Sequence, residues 1–265
     1  IKPRGGQFYE KCYLHGNYYH ASPAHTWLAG PLLHYLLTGD ARSLEAVQLG
    51  REFLLRAGTD KWDGFWGCRT PGWTADNLLQ TWWVLGDPED LERVVATIAN
   101  FERLETTKYG ARGFVRNEKM KPASLQPWMN SIMFNAVARH AWLTSETRFH
   151  PLMRRMIGFF EKEAITGTEH PRVFRHVDPD QDYRVEPAVH LLWPVASSLT
   201  WGALVLEDAA LHARAERLFR EVVHHHQNDP NSPIAFRMMN YPASESKIIS
   251  NIGLWGLMGR SLFTQ

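Results

Sequence analysis

Residues 15–57 read HGNYYHASPAHTWLAGPLLHYLLTGDARSLEAVQLGREFLLRA, and this stretch decides the fold. It predicts a polar, aromatic leading loop, a mostly apolar helix over about 24–37, a Thr38-Gly39-Asp40 turn, and an amphipathic helix to about Ala57. Gly39 can take the left-handed conformation that closes a helix, and Asp40 can accept from the free N–H groups that open the next. Two helices joined so briefly lie antiparallel. The first carries Leu28, Leu32, Leu33, Leu36 and Leu37 and is expected to be covered on nearly all sides. The second sets Leu44, Val47, Leu54 and Leu55 against Arg42, Glu45, Gln48, Arg51 and Glu52, a one-sided stripe with a solvated back. One helix is therefore inner and the other outer.

The same unit recurs along the chain. Leu85-Gly86-Asp87-Pro88 places a capping Asp before a proline at the first helical position, and Thr144-Ser145-Glu146-Thr147 and Leu206-Glu207-Asp208 sit in equivalent places. Inner helices are expected at about 24–37, 73–85, 126–143, 187–206 and 245–263, and outer ones at about 41–57, 88–106, 147–165 and 208–227. Pro194 should kink the fourth inner helix or open its first turn. No segment reads as a long alternating strand. The fold class is all-α, with helical hairpin repeats that form an open solenoid or a complete or incomplete (α/α) toroid. It is read as a single domain over residues 1–265, and a start at Ile1 rather than Met suggests a piece of a longer chain with further domains.

Composition excludes some classes. A formal net charge of +1 offers nothing to nucleic acid or an acidic membrane, and no apolar run approaches the roughly 20 residues that span a bilayer. The expectation is a soluble protein, with its compartment left open. Cys12 and Cys68 permit at most one disulfide and cannot build a Cys-rich zinc site. The chain is rich in aromatic residues, with 11 Trp, 13 Phe and 8 Tyr, which suits either core or sugar stacking.

The connections 58–72, 107–125, 166–186 and 228–244 are long for hairpin repeats, and long structured loops are usually functional. Phe65-Trp66-Gly67-Cys68-Arg69, Phe114-Val115-Arg116, Phe174-Arg175 and Phe236-Arg237 each set a Phe shortly before an Arg in a stretch that could form a β-ribbon. Rotation of the units about one axis would gather Arg69, Arg116, Arg175 and Arg237 with the inner-helix N-termini, a mouth suited to an anionic ligand. The plain alternative pairs each Arg with a loop acid such as Asp63, Glu118 or Asp180.

His25-Thr26-Trp27-Leu28-Ala29-Gly30, followed by Leu33-His34-Tyr35-Leu36-Leu37-Thr38-Gly39-Asp40, resembles a hairpin of the six-hairpin (α/α)-toroid carbohydrate enzymes. The nearest likeness is to the helical domains of exo-rhamnogalacturonan-lyase-like and β-L-arabinofuranosidase-like proteins. The close match covers residues 24–57. The resemblance implies a central, sugar-binding cleft at the inner-helix N-termini. Two departures stand out: a full ring needs twelve helices where nine are counted, and two cysteines do not reproduce the cysteine-rich zinc site of the arabinofuranosidase-like branch.

A saccharide substrate allows two chemistries. A lyase acting on a uronic acid needs a carboxylate partner, a base and an acid, for which Arg69, His20 and Tyr19 are the candidates. A hydrolase needs two carboxyl groups, about 5 Å apart for retention or about 6.5–9.5 Å for inversion. Asp76, on the first turn of the second inner helix, leads, with Glu186 before the fourth and then Asp63; Asp76 and Glu186 also sit where acids merely cap helices. His15, Asn17 and His25 in the leading loop, Asn130 and Asn135 on the third inner helix, His190 on the fourth, and Asn240-Tyr241 complete the expected lining. Trp66, Trp73 and Trp128, with Trp62, lie in loops or first turns, where stacking aromatics belong; Trp82, Trp83, Trp142, Trp193 and Trp201 read as core. His15, His20 and His25 lack a fixed ligand spacing, so no metal and no cofactor is expected. The sequence thus points to a polysaccharide lyase or glycoside hydrolase, or else to a non-catalytic helical domain that binds glycan or protein.

Overall fold

The computed structural model describes residues 22–64, 67–119, 125–189 and 191–228. Four helical hairpins follow one another: α1 (Ala29–Thr38) with α2 (Ala41–Leu55), α3 (Arg69–Leu85) with α4 (Pro88–Tyr109), α5 (Pro127–Thr144) with α6 (His150–Phe159), and α7 (Leu192–Leu206) with α8 (Ala209–Asn228). Odd-numbered helices form an inner row in which α1, α3, α5 and α7 pack side by side, and each even-numbered helix packs behind its partner. The expected fifth inner helix, 245–263, lies outside the described residues.

Local chemistry sets the hairpin turns. Gly39 closes α1 at φ 71°, and the Asp40 carboxylate accepts from Ser43 N at 2.9 Å to open α2. Asp87 accepts from Glu89 N at 3.0 Å, and Asp208 from Leu211 N at 2.9 Å. Pro194 falls in the first turn of α7, where its missing N–H has no carbonyl to serve. Because each return helix is antiparallel, all inner helices start at one end of the row, here the front, where the long connections also lie.

Three expectations need correction. First, the fourth inner helix starts later than expected, because the connection before it, where a β-ribbon was expected at Phe174-Arg175, holds a sheet whose last strand runs past residue 187: β1 (Ile165–Thr166), β2 (Arg172–Asp178) and β3 (Tyr183–Ala188) pair antiparallel in that order. Residues 183–188 therefore belong to a strand, and α7 starts at Leu192 rather than near residue 187. Cross-strand pairing of Val173 with Ala188 and Phe174 with Pro187 takes up the backbone that a helix would have used. Second, α6 is short and runs into a π turn, Phe160–Ala164, that leads into β1. Third, α1 is not covered on all sides. Leu33, Leu36 and Leu37 are exposed because α1 ends the described row, with α3 on one side only.

The core lies between the two layers and is filled by Leu78, Leu79, Ile98, Phe101, Phe134, Phe149 and Phe160, all essentially without solvent contact. At its rear, His140 of α5 is completely buried against Phe149, ring centroids 5.7 Å apart, with Glu146 Oε2 3.9 Å from Nε2 and no hydrogen bond to either ring nitrogen among the described residues. Burial depresses its pKa, with Arg148 adding and Glu146 opposing. Unfolded chain, titrating near the ordinary value of about 6.5, then binds the proton more readily than the fold does. Stability from this group is complete above that value and is lost as pH falls through it toward the depressed folded value. Urea midpoints of the wild type should therefore drop from about pH 7.5 to about pH 5 more than those of His140→Leu; equal drops would remove His140 from the account. No helix among the described residues is long and apolar enough to cross a membrane.

Candidate functional site

At the front, a short 3-10 turn, Pro23–His25, leads the chain along the first turns of α3. Leu28 N donates to Asn77 Oδ1 at 2.7 Å, and Asn77 Nδ2 donates to the Trp73 carbonyl at 2.7 Å, so α3 pins this segment through one amide. The pin brings His25 to Arg69, the first residue of α3, with Nη2 3.0 Å from Nε2. A guanidinium only donates, so Nε2 is the unprotonated nitrogen in this contact. His25 stacks on Trp27 at 5.6 Å and 14° between planes, and the Arg69 guanidinium lies 5.9 Å from the Trp128 ring at the start of α5. One cation thus stands among an imidazole and two indoles drawn from three elements. All four side chains are half-buried, so they are both held and reachable.

Further back along α3, Trp73 and Asp76 follow Arg69 at helical steps of four and three, which puts all three on one face. Asp76 begins the third turn, two turns after Arg69, because α3 starts four residues before the expected position. It is 3% exposed. Arg139 Nη1 of α5 donates to its Oδ1, and Gln80 Nε2 donates to Oδ2 at 2.9 Å. The Arg139 guanidinium also lies 5.6 Å from the Trp201 ring of α7. Three inner helices meet at this carboxylate. Asp76 caps nothing; the N-cap position of α3 is Cys68, a buried thiol whose pKa burial pushes up.

The remaining candidates fall differently. Asn130 is buried and ties α5 to its preceding loop, accepting from Val115 N at 3.3 Å and donating to Gln126 O at 3.4 Å. Arg116 donates to Asp178 Oδ1 at 2.6 Å and to Asp180. The hydrogen bond from Arg112, with Arg116 beside it, holds the Asp180 carboxyl below the ordinary carboxylate range. Arg175 pairs with Glu186 at 3.1 Å across β2 and β3. The four-arginine mouth is therefore corrected at Arg116 and Arg175, whose charges meet carboxylates of the sheet and its turn. Glu186 is corrected too: it is an exposed strand residue at φ 51°, not a helix cap. Tyr19, His20, His15, Asn17, Trp66, His190, Arg237 and Tyr241 lie outside the described residues.

Arg139, Gln80 and Trp201 carry the centre of the arrangement; the first two were not singled out from the sequence, and Trp201 is buried as read. The signal was there for one of them, because Arg139 is a lone cation within MNSIMFNAVARHAWL, and such a residue on a buried helix demands a partner. Trp83 and Trp142, read as core, are instead 63% and 44% exposed. Among the described residues, no three His, Cys, Asp or Glu side chains group as a metal site would require.

No protein-family model matches the chain, and no curated protein sequence matches it. Solved structures do. Unsaturated glucuronyl hydrolase from Bacillus sp. GL1, described as responsible for degradation of glycosaminoglycan, superposes with a TM-score of 0.59 at 12% identity, over 80% of this chain and 60% of that one. An aspartate-to-asparagine variant of an unsaturated glucuronyl hydrolase with the saccharide dGlcA-Glc-Rha-Glc gives 0.60 at 12% identity, with the same coverage. The unsaturated glucuronyl hydrolase of Streptococcus agalactiae gives 0.54 at 10% identity, over 74% of this chain and 51% of that one. These likenesses concern fold. The rhamnogalacturonan-lyase-like and arabinofuranosidase-like branches are not among these matches. The chain is an (α/α)-toroid array of helical hairpins, and it spans 60% or less of the length of these neighbours.

Proposed function

We propose that the chain hydrolyses a saccharide bearing a uronic acid, with the carboxylate and ring of the sugar received at the front by Arg69 and its aromatic neighbours and with Asp76 as one of the two carboxyl groups that hydrolysis requires. The observation that carries the reading is the single face of α3 on which Arg69, Trp73 and Asp76 follow one another. A guanidinium set among rings offers a carboxylate two parallel donors while an indole face takes the apolar side of a pyranose. Hydrolysis is preferred to elimination because Asp76, the leading carboxyl candidate, shares the face of α3 with Arg69 and Trp73. The fold neighbours are glucuronyl hydrolases, which supports the same choice.

Incubation with saccharides ended by an unsaturated glucuronyl group, followed by reducing-end and ultraviolet assays together, separates the outcomes. Hydrolysis at that group creates reducing ends and consumes the conjugated double bond, so absorbance falls. Elimination within a saturated uronide creates both, so absorbance rises. Asp76→Asn should lower turnover by at least about 100-fold, and Arg69→Ala should raise KM with a smaller effect on kcat. Wild-type rates in Asp76→Asn would end this assignment, and silence of the wild type with every saccharide would favour a binding domain.

A further inference from the structure

The contact between Arg69 and His25 does more than hold the front site together. The guanidinium donates through Nη2 to His25 Nε2 at 3.0 Å, so the imidazole stands there as an acceptor. Its ring is held in place. It stacks on Trp27 at 5.6 Å, while His25 N donates to Ser22 O at 2.9 Å and Leu28 N to Asn77 Oδ1 at 2.7 Å. An acceptor is the wrong neighbour for an anion. A carboxylate that takes the Arg69 donors brings its own lone pairs up to Nε2, which presents another. Either the two repel or the nitrogen gains a proton.

The charges around the ring leave that proton to the ligand. The turn Pro23–His25 packs on α3, whose charged residues are Arg69 and Asp76. Arg69 is in contact, whereas Asp76 lies two turns further on and receives Arg139. Residues 22–28 hold no other ionisable side chain, and residues 127–130, the first turn of α5 beside Arg69, hold none. A guanidinium by itself opposes a second positive charge at its side, and a carboxylate set between the two reverses that preference.

We propose that His25 takes up a proton when a uronate carboxylate binds at Arg69, so that imidazolium and guanidinium hold the anion between them and affinity falls as pH rises. The inference rests on the uronic-acid reading above and makes His25 a specificity determinant of that site, since a neutral sugar offers nothing that calls for the proton. The sign follows from the direction of uptake. Because binding makes the imidazole more basic, affinity is complete at pH below its titration in the free chain and is lost as pH rises toward its titration in the complex. An imidazole ordinarily titrates near about 6.5, and a rise of one pH unit on binding is worth about tenfold in affinity.

The test compares the tetrasaccharide dGlcA-Glc-Rha-Glc with its counterpart reduced from carboxylate to alcohol, between about pH 6 and about pH 8.5, in the wild type, His25→Gln and His25→Ala. Affinity is read as KM from initial rates where the sugar is cleaved and by calorimetry where it is not. Wild-type affinity for the acidic sugar should fall at least about tenfold across that range, with no trend for the reduced sugar. Gln sets an amide donor near the place of Nε2 and gains no proton, so His25→Gln should bind without a trend, between the wild-type extremes. His25→Ala should be equally flat and weaker. Unchanged unfolding midpoints at each pH would certify both variants. A flat wild type would mean that neutral His25 donates as its other tautomer, which would overturn the proposal and leave the front site standing. A trend that persists in His25→Gln, or that appears with the reduced sugar, would assign the proton to another group and also overturn it. Failure of both sugars to bind, or equal binding of both at every pH, would overturn the uronic-acid reading itself.

Discussion

Arg139→Ala should cost about 3–5 kcal/mol of unfolding free energy, the range for stripping one partner from a buried ion pair. Arg139 is 6% exposed and Asp76 is 3% exposed, so each charge relies on the other far more than on water. Removal of the guanidinium leaves the Asp76 carboxylate with the Gln80 amide on Oδ2 and takes away the donor on Oδ1. It also opens a gap beside Trp201, against which the guanidinium packs. The joint replacement Asp76→Leu with Arg139→Met should recover most of the loss, because two apolar side chains need no partner there. Urea denaturation of the three variants measures this. A loss below about 1 kcal/mol in Arg139→Ala would mean that water reaches the pair and that the α3–α5–α7 junction is looser than described.

The second large effect is expected at Gly113, where Ala should cost more than about 4 kcal/mol. Its φ is 80°, and an added Cβ would sit 2.2 Å from the Arg155 carbonyl oxygen and 2.4 Å from its carbon. Cβ has no rotamer to escape through and Arg155 offers backbone, so the loop would have to leave α6. That departure undoes a second arrangement. Gly113 N donates to Glu105 Oε1 at 2.5 Å, and the same fully buried carboxylate receives Arg155 Nε at 3.0 Å and Nη2 at 3.0 Å. The hydrogen bonds it donates to Glu105 and Glu102 hold the Arg155 guanidinium more firmly protonated than usual. Gly39→Ala is the control: its φ of 71° carries similar backbone strain with nothing within 4 Å of the new Cβ, so it should cost only about 1–2 kcal/mol. Thermal unfolding of both variants separates clash from strain, and equal losses would refute the steric argument.

The hairpin order was legible because its causes are local. Gly39 with Asp40, and Gly86 with Asp87, hold within a few residues the left-handed closure and the carboxylate that begin a new helix, so the turns form as read. Pro194 likewise acts on its own turn. The region before α7 was misread for the opposite reason. Glu186-Pro187 looks like a helix start with Glu186 as cap, but pairing of Tyr183–Ala188 with Arg172–Asp178 satisfies the backbone there, and that partner cannot be weighed from local pattern. The Phe-Arg repeat marked Phe174-Arg175 as ribbon, and both lie in β2.

By itself, then, the sequence determined the inner and outer character of the helices, their turns and their common direction, because hydrophobic period and capping act over one to three turns. Tertiary structure decided which polar groups meet. His25, Arg69 and Trp128 come together only because Asn77 pins the leading segment and because α3 and α5 pack in the register allowed by Gly72. Asp76 finds Arg139 across 63 residues of chain, while Arg116 and Arg175 are claimed by carboxylates of the sheet and its turn. A buried or half-buried charge takes whichever partner the packing brings within about 3 Å, and that choice depends on contacts far apart in the chain.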